Sequence, residues 1–171
     1  MIELLLRYGA KPNIPNSYGL TALVKSSACG YSEIVQMLLD NGAKPNLFNN
    51  GRNALIEASY HGYCDIIEIL LNYGADINIR NRDGDTALII ASREGYTEIV
   101  KMLLDSGADP NIKNYRGSTA LMMASIRGYS DDIGNILKPG VLKSDVKAEP
   151  LRWTRLYEEP ELLPIKEILS H

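Results

Sequence analysis

The sequence predicts an all-α solenoid built from repeated helix-turn-helix units with β-turn or hairpin connections. A five-residue phrase returns four times, and its leading glycines are 32, 33 and 33 residues apart: Gly19–Leu23, Gly51–Leu55, Gly84–Leu88 and Gly117–Leu121. Each phrase is followed by a Gly-Tyr pair and then by an apolar segment. A fixed period of this length over most of a chain is typical of repeat architectures.

A capping residue predicts the start of the first helix in every unit: Thr21, Asn53, Thr86 and Thr119. We expect this helix to stop at the glycine of the Gly-Tyr pair, since a left-handed conformation costs glycine little. We expect the second helix to be capped by Ser32, Thr97 or Ser130 and to end at a Gly-Ala pair. One helix pair cannot bury its apolar side alone, so neighbouring units are expected to share a continuous core.

This pattern resembles the ankyrin family, whose unit of about 33 residues contains a β-turn and two helices. The family phrase T-P-L-H-x-A appears here as Thr-Ala-Leu or Asn-Ala-Leu followed by an apolar residue. The resemblance covers residues 1–140 and divides them into a partial unit, 1–15, and units at about 16–48, 49–80, 81–113 and 114–140. The unit beginning near Asn49 is one residue short, which predicts a tighter turn.

The two ends of the array differ. Met1 aligns partway into a second helix, so the Leu4–Leu6 run is expected to stack on the next unit without an outer partner. This start favours a fragment of a longer array, and self-association through an uncapped end is a further hypothesis. At the other end, Asp132 and Asn135 replace apolar residues, which gives the polar outer face that a terminal repeat needs.

Residues 141–171 form a compositionally distinct tail that is rich in proline. The spacing of Trp153, Leu156 and Tyr157 could give one apolar helical face. We expect short helices packed on the last repeat, or a flexible segment. The run Leu163–Leu169 resembles the beginning of an F-box, a motif that recruits ubiquitin ligases.

Composition argues against several classes of function. A net charge of −3 gives no electrostatic reason to bind nucleic acid. No apolar run is long enough to cross a bilayer, and no secretion signal is recognisable, so we expect no membrane partner. Cys29 and Cys64 do not make a disulfide framework, so we expect a reducing, cytoplasmic location. We also expect the chain to be a monomer.

Catalysis and cofactor binding are not expected, because the chain has no metal-ligand spacing and no phosphate-binding loop. Repeat register does align Cys29, His61, Glu94 and Arg127 in one row. Packed helices lie roughly 8–10 Å apart, whereas a nucleophile and its base need contacts near ~3 Å. We therefore interpret the row as part of a solvated surface, with no catalytic, cofactor-binding or metal-binding residue.

The resemblance implies that the chain recognises another protein with its turn tips and the concave face of its first helices. The tips on this register are Tyr18, Leu20, Arg52, Arg82, Asp83, Asp85, Tyr115, Arg116 and Ser118. The helix face comprises Lys25, Ala28, Cys29, Glu57, Tyr60, His61, Ile90, Arg93, Glu94, Met123, Ile126 and Arg127. Its later half is expected to expose Ile90, Met123 and Ile126 beside charged residues.

Five of these residues are the predicted partner-binding set: Tyr60, Arg93, Tyr115, Ile126 and Arg127. The leading hypothesis is a non-enzymatic protein-protein interaction module. The alternative is a recognition arm of a larger enzyme or ubiquitin-ligase adaptor, motivated by the truncated start and the tail. The tyrosines of the Gly-Tyr pairs recur in every unit, and we interpret them as structural joints between the helices.

Overall fold

The computed structural model describes residues 2–49 and 51–137. Over these residues the chain forms nine helices: α1 (Ile2–Arg7), α2 (Ala22–Cys29), α3 (Ser32–Asp40), α4 (Ala54–His61), α5 (Cys64–Asn72), α6 (Ala87–Glu94), α7 (Thr97–Asp105), α8 (Ala120–Ile126) and α9 (Asp132–Leu137). The first helices of the four units are α2, α4, α6 and α8, and the second helices are α3, α5, α7 and α9. The predicted all-α repeat fold is confirmed.

The first helices begin where their capping residues predict. The Thr21 and Thr86 hydroxyls accept hydrogen bonds from the backbone amides of Val24 and Ile89, each at 3.3 Å. Asn53 caps α4 in the same way, accepting from the Leu55 amide at 2.9 Å. These bonds satisfy amides that have no partner inside the helix, which explains why each helix starts at the same point of its unit.

The predicted caps Ser32 and Thr97 of the second helices are wrong. Both lie inside the first turn, as Cys64 does, and the capping positions of these three helices belong to Tyr31, Tyr63 and Tyr96, which make no side-chain cap. The capping role of Ser130 before α9 stays a prediction. The physical reason is the two-residue connection between the helices. The Gly30 and Tyr31 amides both donate to the Ser26 carbonyl, and the Tyr31 carbonyl already accepts from the Val35 amide. No position is left between the helices for a serine or threonine cap.

First helices stack on first helices and second helices on second helices along the array. The shared core contains fully buried leucines from successive units, among them Leu23, Leu55 and Leu88. Because the core runs across the unit boundaries, each pair of helices is stabilised mainly by its neighbours.

The tyrosines of the Gly-Tyr pairs join consecutive units. A Cβ added at Gly30 would lie 2.8 Å from the ring of Tyr63, and one added at Gly95 would lie 2.6 Å from the ring of Tyr129. Each ring therefore packs closely against the glycine of the Gly-Tyr pair in the preceding unit, where a side chain would not fit. The interpretation of these tyrosines as structural joints agrees with this packing, and the joint lies between units.

The turn of the unit beginning near Asn49 is tighter, as predicted. Asn49 and Arg52 exchange two backbone hydrogen bonds, of 3.1 and 3.0 Å. In the neighbouring units the equivalent bonds span one residue more, as from the Asn81 amide to the Asp85 carbonyl. The missing residue is therefore absorbed in the turn, and the helices keep their register.

The described ends of the array show the expected contrast. Leu4 and Leu5 are more than half exposed, and Leu6 packs against the core. Asp132 and Asn135 are exposed on α9, next to buried Ile133. The hypotheses of a fragment and of self-association stay predictions. Those on the tail, including the helical face of Trp153 and the F-box resemblance, concern residues outside the described ranges.

Candidate functional site

The turn tips are held rigidly by asparagine side chains. The Asn114 Oδ1 atom accepts from the Arg116 and Ser118 amides at 3.0 and 2.9 Å, and Asn81 holds the preceding tip through the Asp83 and Asp85 amides. Asn is well suited to this role because its short amide can bond to the backbone two residues on. The tip side chains therefore project from a fixed frame.

Neighbouring tips are also bonded to each other. The Tyr115 amide donates to the Asp83 carbonyl at 3.0 Å, and Tyr115 packs closely over Gly84. The ring remains 70% exposed, so most of its surface is available to a partner. Its backbone position is fixed, which lowers the entropy lost on binding.

A groove lies between the tips of the last two described units and the C-terminal end of α8. We call it the tip groove; its volume is about 440 Å³ and its lining residues are Asp83, Asp85, Arg93, Asn114, Arg116, Ser118, Met123, Ile126 and Arg127. It combines apolar surface from α8 with arginine, carboxylate and amide groups. Concave sites of this size and mixed lining are the usual places for a ligand or a short segment to bind.

One carboxylate organises the floor of the tip groove. Asp85 is buried, accepts from Arg93 Nη1 at 2.6 Å and accepts from Asn114 Nδ2 at 2.8 Å. Arg93 Nε donates to Glu94 at 3.0 Å. Burial opposes the charge of Arg93, but the hydrogen bonds to Glu94 and Asp85 outweigh it and raise the Arg93 pKa. The network links α6 to the next tip and fixes the floor.

The preceding unit has a different ion pair, between its turn tip and its first helix. Arg52 donates two hydrogen bonds to Glu57, of 2.7 and 2.6 Å, and these bonds raise the pKa of Arg52. Glu57 is only 8% exposed. This two-bond geometry holds the guanidinium of Arg52 against α4, beside a second open surface that Tyr18 and Leu20 help to line.

The five predicted partner-binding residues are distributed over two places. Arg93, Ile126 and Arg127 line the tip groove, and Tyr115 lies at its rim between two lining residues. Tyr60 lies on α4, in the unit that precedes α6, and does not line the groove; it is 52% exposed and meets the His61 ring edge-on at 5.3 Å. The structure thus brings four of the five together and leaves Tyr60 apart. Their role in binding stays a prediction.

Several residues expected on the exposed face are buried instead. Ile90 is 1% exposed because α6 packs between α4 and α8. Asp85 and Glu57 are withdrawn by their arginine partners and are 2% and 8% exposed. Arg127 is exposed, but α8 ends at Ile126, so Arg127 follows the helix.

Six groove residues lie outside the five predicted partner-binding residues: Asp83, Asp85, Asn114, Arg116, Ser118 and Met123. All of them except Asn114 belong to the wider tip and helix-face sets, and two could have been added to the five. Arg116 adjoins Tyr115 in the same tip, which is the signal that could have added it. Met123 lies one helical turn before Ile126 or Arg127, and the i, i+3 and i, i+4 spacing could have identified it.

In the described part of the chain, the row of Cys29, His61, Glu94 and Arg127 contains no hydrogen bond between a nucleophile and a base. Glu94 bonds to Arg93, and His61 stacks against Tyr63 with centroids 5.8 Å apart. Both cysteines are free thiols. Burial, with nearby carboxylates, raises the pKa of Cys64, which disfavours its nucleophilic thiolate form.

Two further features bear on the type of site. Among the described residues, no three His, Cys, Asp or Glu side chains are grouped so that they could hold a metal ion. None of the helices in residues 2–49 and 51–137 has the length and apolar character that crossing a bilayer requires.

Comparison with known proteins adds independent support for the repeat. A family model described as ankyrin repeats, three copies, matches residues 1–81 and again residues 76–147. A protein of Fowlpox virus (strain NVSL) that is named as an ankyrin repeat protein is 49% identical over 47 residues, which are 28% of this chain and 8% of that protein. The chain therefore belongs to the ankyrin repeat family, whose repeats are protein-protein interaction modules.

Proposed function

We propose that the chain binds a protein partner through the tip groove and the exposed first-helix residues beside it. The single observation that supports this most is the convergence of Tyr115, Ile126 and Arg127 around one groove. Tyrosine and arginine are frequent binding anchors, and an exposed isoleucine rimmed by charge is typical of an interaction surface.

The rigidity of the groove supports the same proposal. Its floor is fixed by Asp85, Arg93 and Asn114, and its rim is fixed by the bonds between neighbouring tips. A partner would therefore bind a preformed surface and lose little free energy in ordering it. Arg93 contributes mainly by shaping the floor, because its guanidinium is already bonded to Asp85 and Glu94. We expect Tyr60 to extend the contact toward α4.

Site-specific photo-crosslinking tests the surface. A photoreactive phenylalanine derivative replaces Tyr115 in one protein and exposed Glu68, on α5, in a matched control. Irradiation in cells that express the chain should give a protein adduct at position 115 that is absent at position 68. Adding Arg127→Ala should reduce that adduct while the helical circular dichroism stays unchanged. Equal adducts at both positions, or no effect of Arg127→Ala, would contradict the proposal.

The alternative of a recognition arm for a larger enzyme or ubiquitin-ligase adaptor is motivated by the start of the array and by the tail, which lies outside the described ranges. It uses the same surface for recognition and differs only in what is attached. The adducts at position 115, identified by mass spectrometry, would distinguish a recruited substrate from ligase subunits.

A further inference from the structure

We infer that the tip groove accepts an acidic segment of the partner, in which a carboxylate side chain neighbours a small aliphatic one. This inference rests on the proposed function and specifies the chemistry of its occupant. It follows from three features: the charges that remain unpaired in the groove, the apolar residues that line it, and the distribution of charge on the second helices of the repeats.

The unpaired charge of the groove is mostly positive. The side chains of Arg116 and Arg127 are exposed and make no hydrogen bond or ion pair with the other described residues. Asp85 is paired with Arg93, which also bonds to Glu94, a residue that does not line the groove. Asp83 is the opposing charge, a single exposed carboxylate at the edge. Two arginines against one carboxylate favour an anionic guest, and guanidinium groups bind carboxylates in a two-bond geometry.

The apolar lining of the groove comes from two residues of α8. Ile126 is 67% exposed, and Met123, three residues earlier, is partly buried. This patch is small, so it suits one aliphatic side chain rather than an aromatic cluster. A groove of about 440 Å³ accommodates a short segment rather than the face of a folded domain.

The opposite face of the array repels the same guest. The second helices carry exposed carboxylates along their length: Glu33, Asp40, Asp65, Glu68, Glu98 and Asp105. Their one lysine, Lys101, is bonded to Glu98 at 2.9 Å. An acidic segment is therefore disfavoured there and favoured at the tips, which increases specificity as well as the rate of encounter.

A displayed library of random linear peptides is the probe, selected separately on three proteins. These are the unmodified chain, the groove variant Arg116→Glu/Arg127→Glu, and the control Lys11→Glu/Lys44→Glu. The control changes the net charge equally at exposed lysines in other loops. Circular dichroism and thermal unfolding should be the same for all three proteins, since none of the four side chains has a described partner.

We expect the unmodified chain and the control to enrich peptides with Asp or Glu beside Val, Ile, Leu or Met. The groove variant should lose these peptides, with affinity at least about tenfold weaker for the best of them. Replacing Glu by Gln in that peptide should weaken binding similarly, and a phosphoserine substitution that binds more tightly would reassign the groove to phosphate. Tighter binding of the phosphoserine peptide would overturn the inference. So would enrichment of a neutral or basic motif, unchanged selection by the groove variant, or no enrichment at all. The proposed function is judged separately, by the adduct at position 115.

Discussion

The buried carboxylate of Asp85 gives the sharpest prediction about stability. Asp85→Ala removes an ion pair of 2.6 Å to Arg93 and a hydrogen bond of 2.8 Å from Asn114, at a position that is 2% exposed. Removing one partner of a fully buried pair costs about 3–5 kcal/mol. Arg93 keeps its bond to Glu94 and its side chain is 20% exposed, so we expect a smaller loss of about 2–3 kcal/mol.

Urea unfolding followed by circular dichroism measures this loss. The matched control is Asp83→Ala, which deletes a carboxylate two residues earlier that has no described side-chain partner. We expect the control to lie within about 0.5 kcal/mol of the unmodified chain. A double-mutant cycle with Arg93→Ala should give a coupling of about 1 kcal/mol or more. Equal stabilities for Asp85→Ala and Asp83→Ala would refute the assignment of Asp85 as the organiser of the groove floor.

Three other predictions concern the joints and turns. Gly95→Ala should lower the free energy of unfolding by about 2–4 kcal/mol, because left-handed strain of about 1 kcal/mol adds to overlap with the Tyr129 ring. Gly107→Ala, where no atom lies within 4 Å, should lose only the strain of about 1 kcal/mol. Asn53→Thr should cost about 1–2 kcal/mol in thermal unfolding, since its amide also donates to the Pro45 and Leu47 carbonyls. Tyr73 should titrate late by tyrosinate absorbance, because its hydrogen bond to Asp40 raises its pKa.

The sign of the Tyr73 effect follows from its raised pKa. Its contribution to stability is fully present below the ordinary value of 10.0 and is lost as pH rises through the raised value. Tyr73→Phe should remove the late step. Persistence of that step in Tyr73→Phe would disprove the Asp40 bond. Equal losses of stability for Gly95→Ala and Gly107→Ala would exclude the ring contact at Gly95. An unchanged stability of Asn53→Thr would exclude a role for the two bonds to the Pro45 and Leu47 carbonyls.

The repeat was predictable because its causes are local. Thr21 and Thr86 cap helices through an amide three residues on, and Gly30 adopts its left-handed conformation within its own connection. These interactions depend on short-range geometry and recur with the period of the chain. The wrong assignment of Ser32 as a cap shows the limit of that reasoning, since a one-residue shift follows from the length of the connection.

The candidate site was only partly predictable because exposure depends on neighbours. Ile90 and Met123 occupy the same position of successive units, yet α6 packs between two first helices and α8 packs mainly against α6 and α9. The sequence pattern alone therefore cannot predict that Ile90 is buried and Met123 only partly buried.

The sequence by itself determined the period, the caps of the first helices and the turn glycines of this ankyrin array, because each arises from contacts a few residues apart. Only the tertiary structure decided that Asp85 is buried against Arg93 and that Ile90 is buried whereas Ile126 is exposed. Burial and charge pairing are set by which unit packs beside which, and those contacts join residues that are distant along the chain.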